Sequence, residues 1–442
     1  MPTATPSTAA RPAVKQGLVL AGGAVLTMDL SDRFLATADI RIVDSKIDEI
    51  GAAHTLAQPG DRSIDCTDTL VIPGLINTHT HACAGLFRGL TEDLPREYWR
   101  DAYGVPNQER FQTEDYQLAA RASSLEFLMN GVTCIADRWG GMDAISEVLA
   151  TSGIRAICGH TLTDNSHKPD WKTVDALTER WGTKSEDRIT VGIAPHAPDT
   201  CSDALLRECA RRAERLGCKV FIHLAQSAFE VAKLRERGYT GAVAALANNG
   251  LASPQTVAAH CIYVTPAEID GWDTHRISIA HCPASNLKIE ARTLPIHRLI
   301  GRTDIGLGTD WTPSDNAMDM LAETRLAAMI GKHLADDPTA LPVRTMLRLA
   351  TIDGARVLGL DKVVGSIEPG KHADLVVLDL DALEANPHHD LAANLLYSMS
   401  TRCVRDVLVD GHILIRNGKP AAADLAELKK NRLRRWPVWR AS

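Results

Sequence analysis

The 442 residues contain no Cys-x-x-Cys pair, no run of the ~18 apolar residues needed to span a membrane, and no extended block of like charge. The ten cysteines are scattered through apolar contexts, as at Cys66, Cys134, Cys158 and Cys218. That pattern argues against a disulfide framework and describes small buried hydrophobes in a reducing compartment. Residues 1–16 are small and polar without an apolar core, so the expectation is a disordered tail, no signal peptide and a cytoplasmic protein with no membrane partner. One short basic run, Lys429-Lys430-Asn431-Arg432-Leu433-Arg434-Arg435, stands in a chain of net charge −7. On an acidic protein it reads as a solvated helix face, and no nucleic-acid partner is expected.

Hydrophobic content of 45% and charged content of 23% are ordinary for a globular protein. The length suits a large barrel with a smaller module attached. Over residues 71–363, short β-rich runs alternate with helical stretches such as Ala204–Leu216 and Ala242–Asn248. The candidate strands are Val71–His79, Val132–Asp137, Ile154–His160, Ile189–His196, Lys219–His223, Thr256–His260, Ile277–His281 and Ile305–Asp310. Eight strands separated by helices predict an α/β fold of the (β/α)8 barrel type. A doubly wound open sheet is the runner-up, but no Gly-x-Gly-x-x-Gly follows the first strand. Residues 17–70 and 364–418 are strand-rich, and neither part is long enough for a stable sheet alone. Together they predict one small β-sandwich domain built from both chain ends, leaving 419–442 as a C-terminal helical extension.

Histidines mark the strand ends. His79 and His81 stand at i and i+2 on the first strand, so both imidazoles turn to one side. His196, His223, His260 and His281 end the fourth to seventh strands, and Asp310 ends the eighth. In a barrel those ends converge on the face that carries the active site. One histidine at a strand end is commonly a packing or capping residue; one at nearly every end describes a site. Three imidazoles and a carboxylate suit zinc, and also iron or manganese. The expected ligands of one divalent ion are His79, His81, His223 and Asp310. Such an ion brings the pKa of bound water from near 16 toward about 7.

The segments that carry these residues are Pro73-Gly74-Leu75-Ile76-Asn77-Thr78-His79-Thr80-His81, Ala194-Pro195-His196-Ala197-Pro198, His223-Leu224-Ala225, Ala259-His260-Cys261, Ala280-His281-Cys282-Pro283-Ala284-Ser285-Asn286, Gly308-Thr309-Asp310 and Lys371-His372-Ala373-Asp374-Leu375. On them the chain resembles the amidohydrolase superfamily, in the branch that holds S-adenosylhomocysteine, guanine and cytosine deaminases and the s-triazine hydrolases. The resemblance covers nearly the whole chain. It implies a mononuclear site, usually zinc, with His260 hydrogen-bonding the attacking water, Asp310 as general base and His196 contacting substrate. Binuclear relatives carry a carbamylated lysine where this chain has His196, so one metal is favoured over two.

Deaminases of this branch carry a glutamate three residues after the fifth-strand histidine, where this chain has Gln226. An amide donates a hydrogen bond but cannot pass on a proton, and losing a general acid costs about 10² to 10⁴ in rate. Either the substrate needs no such proton, as with a halide, amide, urea or carbamate, or His260 or Asp310 transfers it. Glu230, a helical turn further on, is the other acid nearby. Pocket candidates after the first strand are Phe87, Arg88 and Trp99, and Trp311 follows Asp310 where relatives place a glycine. His281 and Asn286 either contact substrate or hold the seventh-strand loop. The leading expectation is deamination of a purine, pyrimidine or s-triazine ring in a small heterocyclic substrate, by a homo-oligomer. The second is cleavage of another bond on the same scaffold. A non-catalytic scaffold protein is the third, and the complete ligand set argues against it.

Overall fold

The computed structural model describes residues 16–89, 92–93, 111–165, 168–422 and 425–431. Its strands fall into one mixed sheet and two parallel ones. The mixed sheet is built from both ends of the described chain. The N-terminal part supplies β1 (Leu18–Leu26), β2 (Phe34–Val43), β3 (Lys46–Gly51), β4 (Arg62–Asp65) and β5 (Thr69–Pro73). Far along the chain, β16 (Leu375–Asp379), β17 (Val404–Val409), β18 (His412–Arg416) and β19 (Lys419–Pro420) complete it. The join is the antiparallel ladder of β5 with β16, from Pro73 opposite Leu375 to Thr69 opposite Asp379. One face of this sheet packs Leu20, Ile40, Ile47, Val71, Leu375 and Leu408 together, all buried. Each such side chain contributes about 1.5–3 kcal/mol on leaving water.

The expected first barrel strand, Val71–His79, is two strands. Gly74 divides β5 from β6 (Leu75–His81), and a Cβ at Gly74 would sit 1.9 Å from Thr133 Oγ1. The chain therefore passes from the mixed sheet into a parallel one at a point where only glycine fits. That parallel sheet runs β10 (Ala194–Pro195), β8 (Arg155–Leu162), β7 (Val132–Trp139), β6, β15 (Asp310–Trp311), with β9 (Ile189–Val191) also on β8. The other is β11 (Val220–Leu224), β12 (Thr256–His260), β13 (Ser278–His281), β14 (Ile305–Leu307). The fourth and eighth expected strands are thus each split in two, around Gly192 and Gly308. Nearly every residue of these strands is buried, as in parallel sheets covered on both faces.

Hydrogen bonds link the two parallel sheets at both edges. Phe221 N donates to Ile193 O at 2.9 Å and His223 N to His196 O at 3.1 Å. On the other side Thr78 Oγ1 donates to Leu307 O at 2.8 Å. The connecting helices follow their sequence signals. Asp203–Leu216 starts on Ser202, whose side chain accepts from Leu205 N, and stops at Gly217 in the left-handed region. Among the described residues no helix is long and apolar enough to cross a membrane.

Candidate metal centre

The C-terminal ends of β6 and β11 meet the start of β15. One ligand atom from each of His79, His81, His223 and Asp310 lies within 4.8 Å of the others, and all four residues are buried. The register explains the geometry. Asp310 stands opposite Thr80 in the parallel pairing of β15 with β6, between the two histidines. Its Oδ1 is 3.3 Å from His79 Nε2 and 3.2 Å from His81 Nε2. Gly308 makes this approach possible, because a Cβ there would lie 2.8 Å from the His79 carbonyl oxygen. Asp310 itself has φ of +59°, a conformation aspartate tolerates better than most residues.

A second layer orients these groups. His81 Nδ1 donates to Arg138 O at 2.6 Å, which turns Nε2 toward the centre. Ser285 Oγ donates to Asp310 Oδ2 at 2.6 Å and Ser314 Oγ to the same oxygen at 3.2 Å. His260 Nδ1 donates to Asn286 Oδ1 at 2.9 Å, with Nε2 standing 3.9 Å from Asp310 Oδ2.

The electrostatics suit a cation. Burial pushes His79 down to about 3. His223 falls well below the usual imidazole range through burial and the nearby Arg138 cation. Burial alone would raise Asp310, but His260, His79 and His81 outweigh it and hold the carboxyl well below its usual range. At neutral pH His79 and His223 are thus neutral and Asp310 is ionised, the protonation states a divalent ion requires of them. His79 Nε2 is buried and makes no hydrogen bond among the described residues, as expected of an atom whose partner is not protein. The donor set fits one divalent metal.

The other expected site residues are placed as follows. His196 joins the histidine group, its ring centroid 4.9 Å from that of His223 and its Nδ1 2.7 Å from Thr200 Oγ1. His281 is buried outside the four, and burial pushes it to about 3. Asn286 serves His260. Trp311 is buried beside β6, 6.4 Å from Trp139 in a near-parallel arrangement and 6.2 Å from Phe87, which stacks on Phe111. Arg88 pairs with Glu126 at 2.7 Å. Trp99 lies outside the described residues. Glu230 accepts from the backbone N–H groups of Ala225 (2.6 Å) and Gln226 (2.8 Å), so its carboxylate fixes the turn that presents Gln226. Sequence reasoning missed Arg138 and Trp139, because the second strand ends without a histidine. Trp139 nonetheless lies 5.1 Å from the His81 ring. Ser285 was inside a quoted motif, yet nothing in the motif says where its hydroxyl points.

Comparison with known proteins agrees with this geometry. The profile of the amidohydrolase family matches residues 70–414. A 5-methylthioadenosine/S-adenosylhomocysteine deaminase of Moorella thermoacetica is 35% identical over 395 residues, covering 88% of this chain and 92% of that protein. A 5′-deoxyadenosine deaminase of Methanopyrus kandleri is 36% identical over 368 residues, 82% and 85% of the two chains. In structure, a zinc-bound adenosine deaminase from Xanthomonas campestris superposes with a TM-score of 0.91 at 30% identity, covering 97% of this chain and 99% of that one. A triazine hydrolase from Arthrobacter aurescens gives 0.87 at 25% identity, covering 96% and 100%. The strand-end histidines, their carboxylate partner and the extent of these matches lead to one conclusion: the chain belongs to the amidohydrolase family.

Proposed function

We propose that this amidohydrolase is a metal-dependent deaminase that hydrolyses the exocyclic C–N bond of a nitrogen heteroaromatic, with an adenine nucleoside as the substrate class. The observation that carries this reading is the convergence of His79, His81, His223 and Asp310 on one buried point. The relatives named for 5-methylthioadenosine, S-adenosylhomocysteine and 5′-deoxyadenosine support the purine among the possible rings. The hydrogen bonds at both edges of the parallel sheets support closure into a (β/α)8 barrel, and the mixed sheet supports a separate β-sandwich domain made from both chain ends. Ten buried, unpaired cysteines support a reducing, cytoplasmic setting.

His79, His81, His223 and Asp310 would hold the divalent ion, zinc in this reading, which when bound would lower the pKa of water from near 16 toward about 7 and make a hydroxide nucleophile available. Asp310, its Oδ2 held by Ser285 and Ser314, takes the proton that the attacking water gives up. His260, held by Asn286, hydrogen-bonds that water. His196 contacts the substrate, and Trp139 and Trp311 wall its ring. Asp310 then returns the proton to the amino group, which leaves as ammonia. Gln226 donates a hydrogen bond to the ring but no proton.

Gln226 also favours a second reading, in which the leaving group is a halide or alkoxide and ring protonation matters less. One panel separates the two: adenine nucleosides, amino-triazines and chloro-triazines, with ammonia and chloride both measured on protein of known metal content. Ammonia from the nucleosides, with about one metal per chain, is the expected result. Chloride release without ammonia would establish the second reading instead.

A further inference from the structure

Arg138, at the end of β7, has a fully buried guanidinium. Its Nη1 lies 3.0 Å from His223 Nδ1 and donates to His196 O at 3.2 Å, while Nη2 donates to Pro195 O at 3.1 Å. No carboxylate pairs with it among the described residues, and its Nε is buried without a hydrogen-bond partner. Removing a cation from water without a counter-charge is costly, and interiors rarely hold one that packing alone could replace. Burial drags the group down to about 10, still charged at neutral pH.

We propose that Arg138 is a positioning residue for the metal centre: its planar fork locks the ring of His223 and the β10 segment bearing His196 in one arrangement. A guanidinium only donates, so His223 Nδ1 is the acceptor of this bond and Nε2 is the nitrogen left to face the cluster. The same residue offers its backbone carbonyl to His81 Nδ1. Arg138 therefore ties two of the four candidate ligands, from β6 and β11, to a single residue on a strand that supplies no ligand itself. A lysine cannot copy this, because its ammonium is a point charge with no fixed fork. The inference rests on the metal reading above and names a determinant of it.

The test uses the full chain with Arg138→Met and Arg138→Lys. Zinc affinity is measured by competition with a chromophoric chelator, and the visible absorption is recorded with cobalt(II) in place of zinc. Circular dichroism and thermal unfolding of the metal-free proteins check the fold. Expected are a 10- to 100-fold loss of zinc affinity in Arg138→Met, the range found for groups that orient metal ligands, and an altered cobalt spectrum in both variants. Should Arg138→Met fail to fold, Arg138→Lys, which keeps the charge, decides through the same two readings. Wild-type affinity within threefold and an unchanged cobalt spectrum in a folded variant would overturn the proposal. A wild-type chain that binds no zinc at all would instead remove the metal reading, and this inference with it.

Discussion

In the proposed mechanism Asp310 combines two duties that conflict in most carboxylates: it stays ionised in a buried place, and it accepts a proton during turnover. The division between its oxygens makes this workable, with Oδ1 facing His79 and His81 and Oδ2 facing Ser285, Ser314 and His260. Asp310→Asn keeps the shape but removes the charge and the basic oxygen. We expect a loss of about 10² to 10⁴ in kcat together with a lower metal content, read by steady-state kinetics and metal analysis of the same sample. Gln226 poses the opposite question, since here a proton carrier is missing. Gln226→Glu should raise ammonia release from amino-substituted rings by up to about 10², while chloride release from chloro-substituted rings changes little. An unchanged ratio of the two products would show that position 226 does not select the leaving group.

At the scale of elements, the mixed sheet and the parallel sheets are fastened by charge as well as by apolar packing. Arg155, at the start of β8, is buried and donates to both oxygens of Asp374, at 2.8 and 3.2 Å, and also reaches Asp410. Asp410 in turn accepts from His372 at 2.6 Å, and its backbone N–H donates to Asp374. Removing Asp374 takes from the buried Arg155 the partner that it grips by both oxygens and leaves only the half-buried Asp410 to balance its charge. Asp374→Ala should therefore destabilise the protein by about 3–5 kcal/mol, measured by denaturant unfolding, with little direct effect on metal affinity in the folded fraction. The Lys371-His372-Ala373-Asp374-Leu375 motif was visible in the sequence, but its partner Arg155 was not, because the two segments lie far apart along the chain. Strand bounds show the same limit. The apolar run from Val71 reads as one strand, and only the close approach of Thr133 to Gly74 reveals the break.

For the whole molecule, pH dependence is governed partly by acids outside the metal centre. Asp315, half-buried at the end of the short helical turn that follows β15, pairs with the buried Glu323. Burial pushes Asp315 up to about 6; burial and then the Asp315 charge push Glu323 well above the usual range. A carboxyl raised in the folded state contributes stability that is complete below the unfolded value, about 4. That contribution is lost as pH rises through the folded one. The unfolding midpoint should therefore fall as pH rises from about 4 through about 6, the folded value of Asp315, and Glu323→Gln, which mimics the protonated acid, should flatten the fall. An equal slope in wild type and variant, by thermal unfolding across that range, would exclude the pair as its source.

The sequence by itself determined what depends on local pattern. The alternation of strand and helix, the strand-end histidines, and the departure at Gln226 all lie within short windows whose periodicity and chemistry can be read directly. It also placed His79, His81, His223 and Asp310 together, because parallel strands in one α/β fold bring their C-terminal ends to one face. Tertiary structure alone decided the rest: that Asn286 serves His260, that Ser285 and Ser314 hold Asp310, that Arg138 reaches His223, and that the chain leaves the mixed sheet for a parallel one at Gly74. Each of these is a contact between remote segments, fixed within a few tenths of an ångström by packing, and packing leaves no periodic trace in the order of residues.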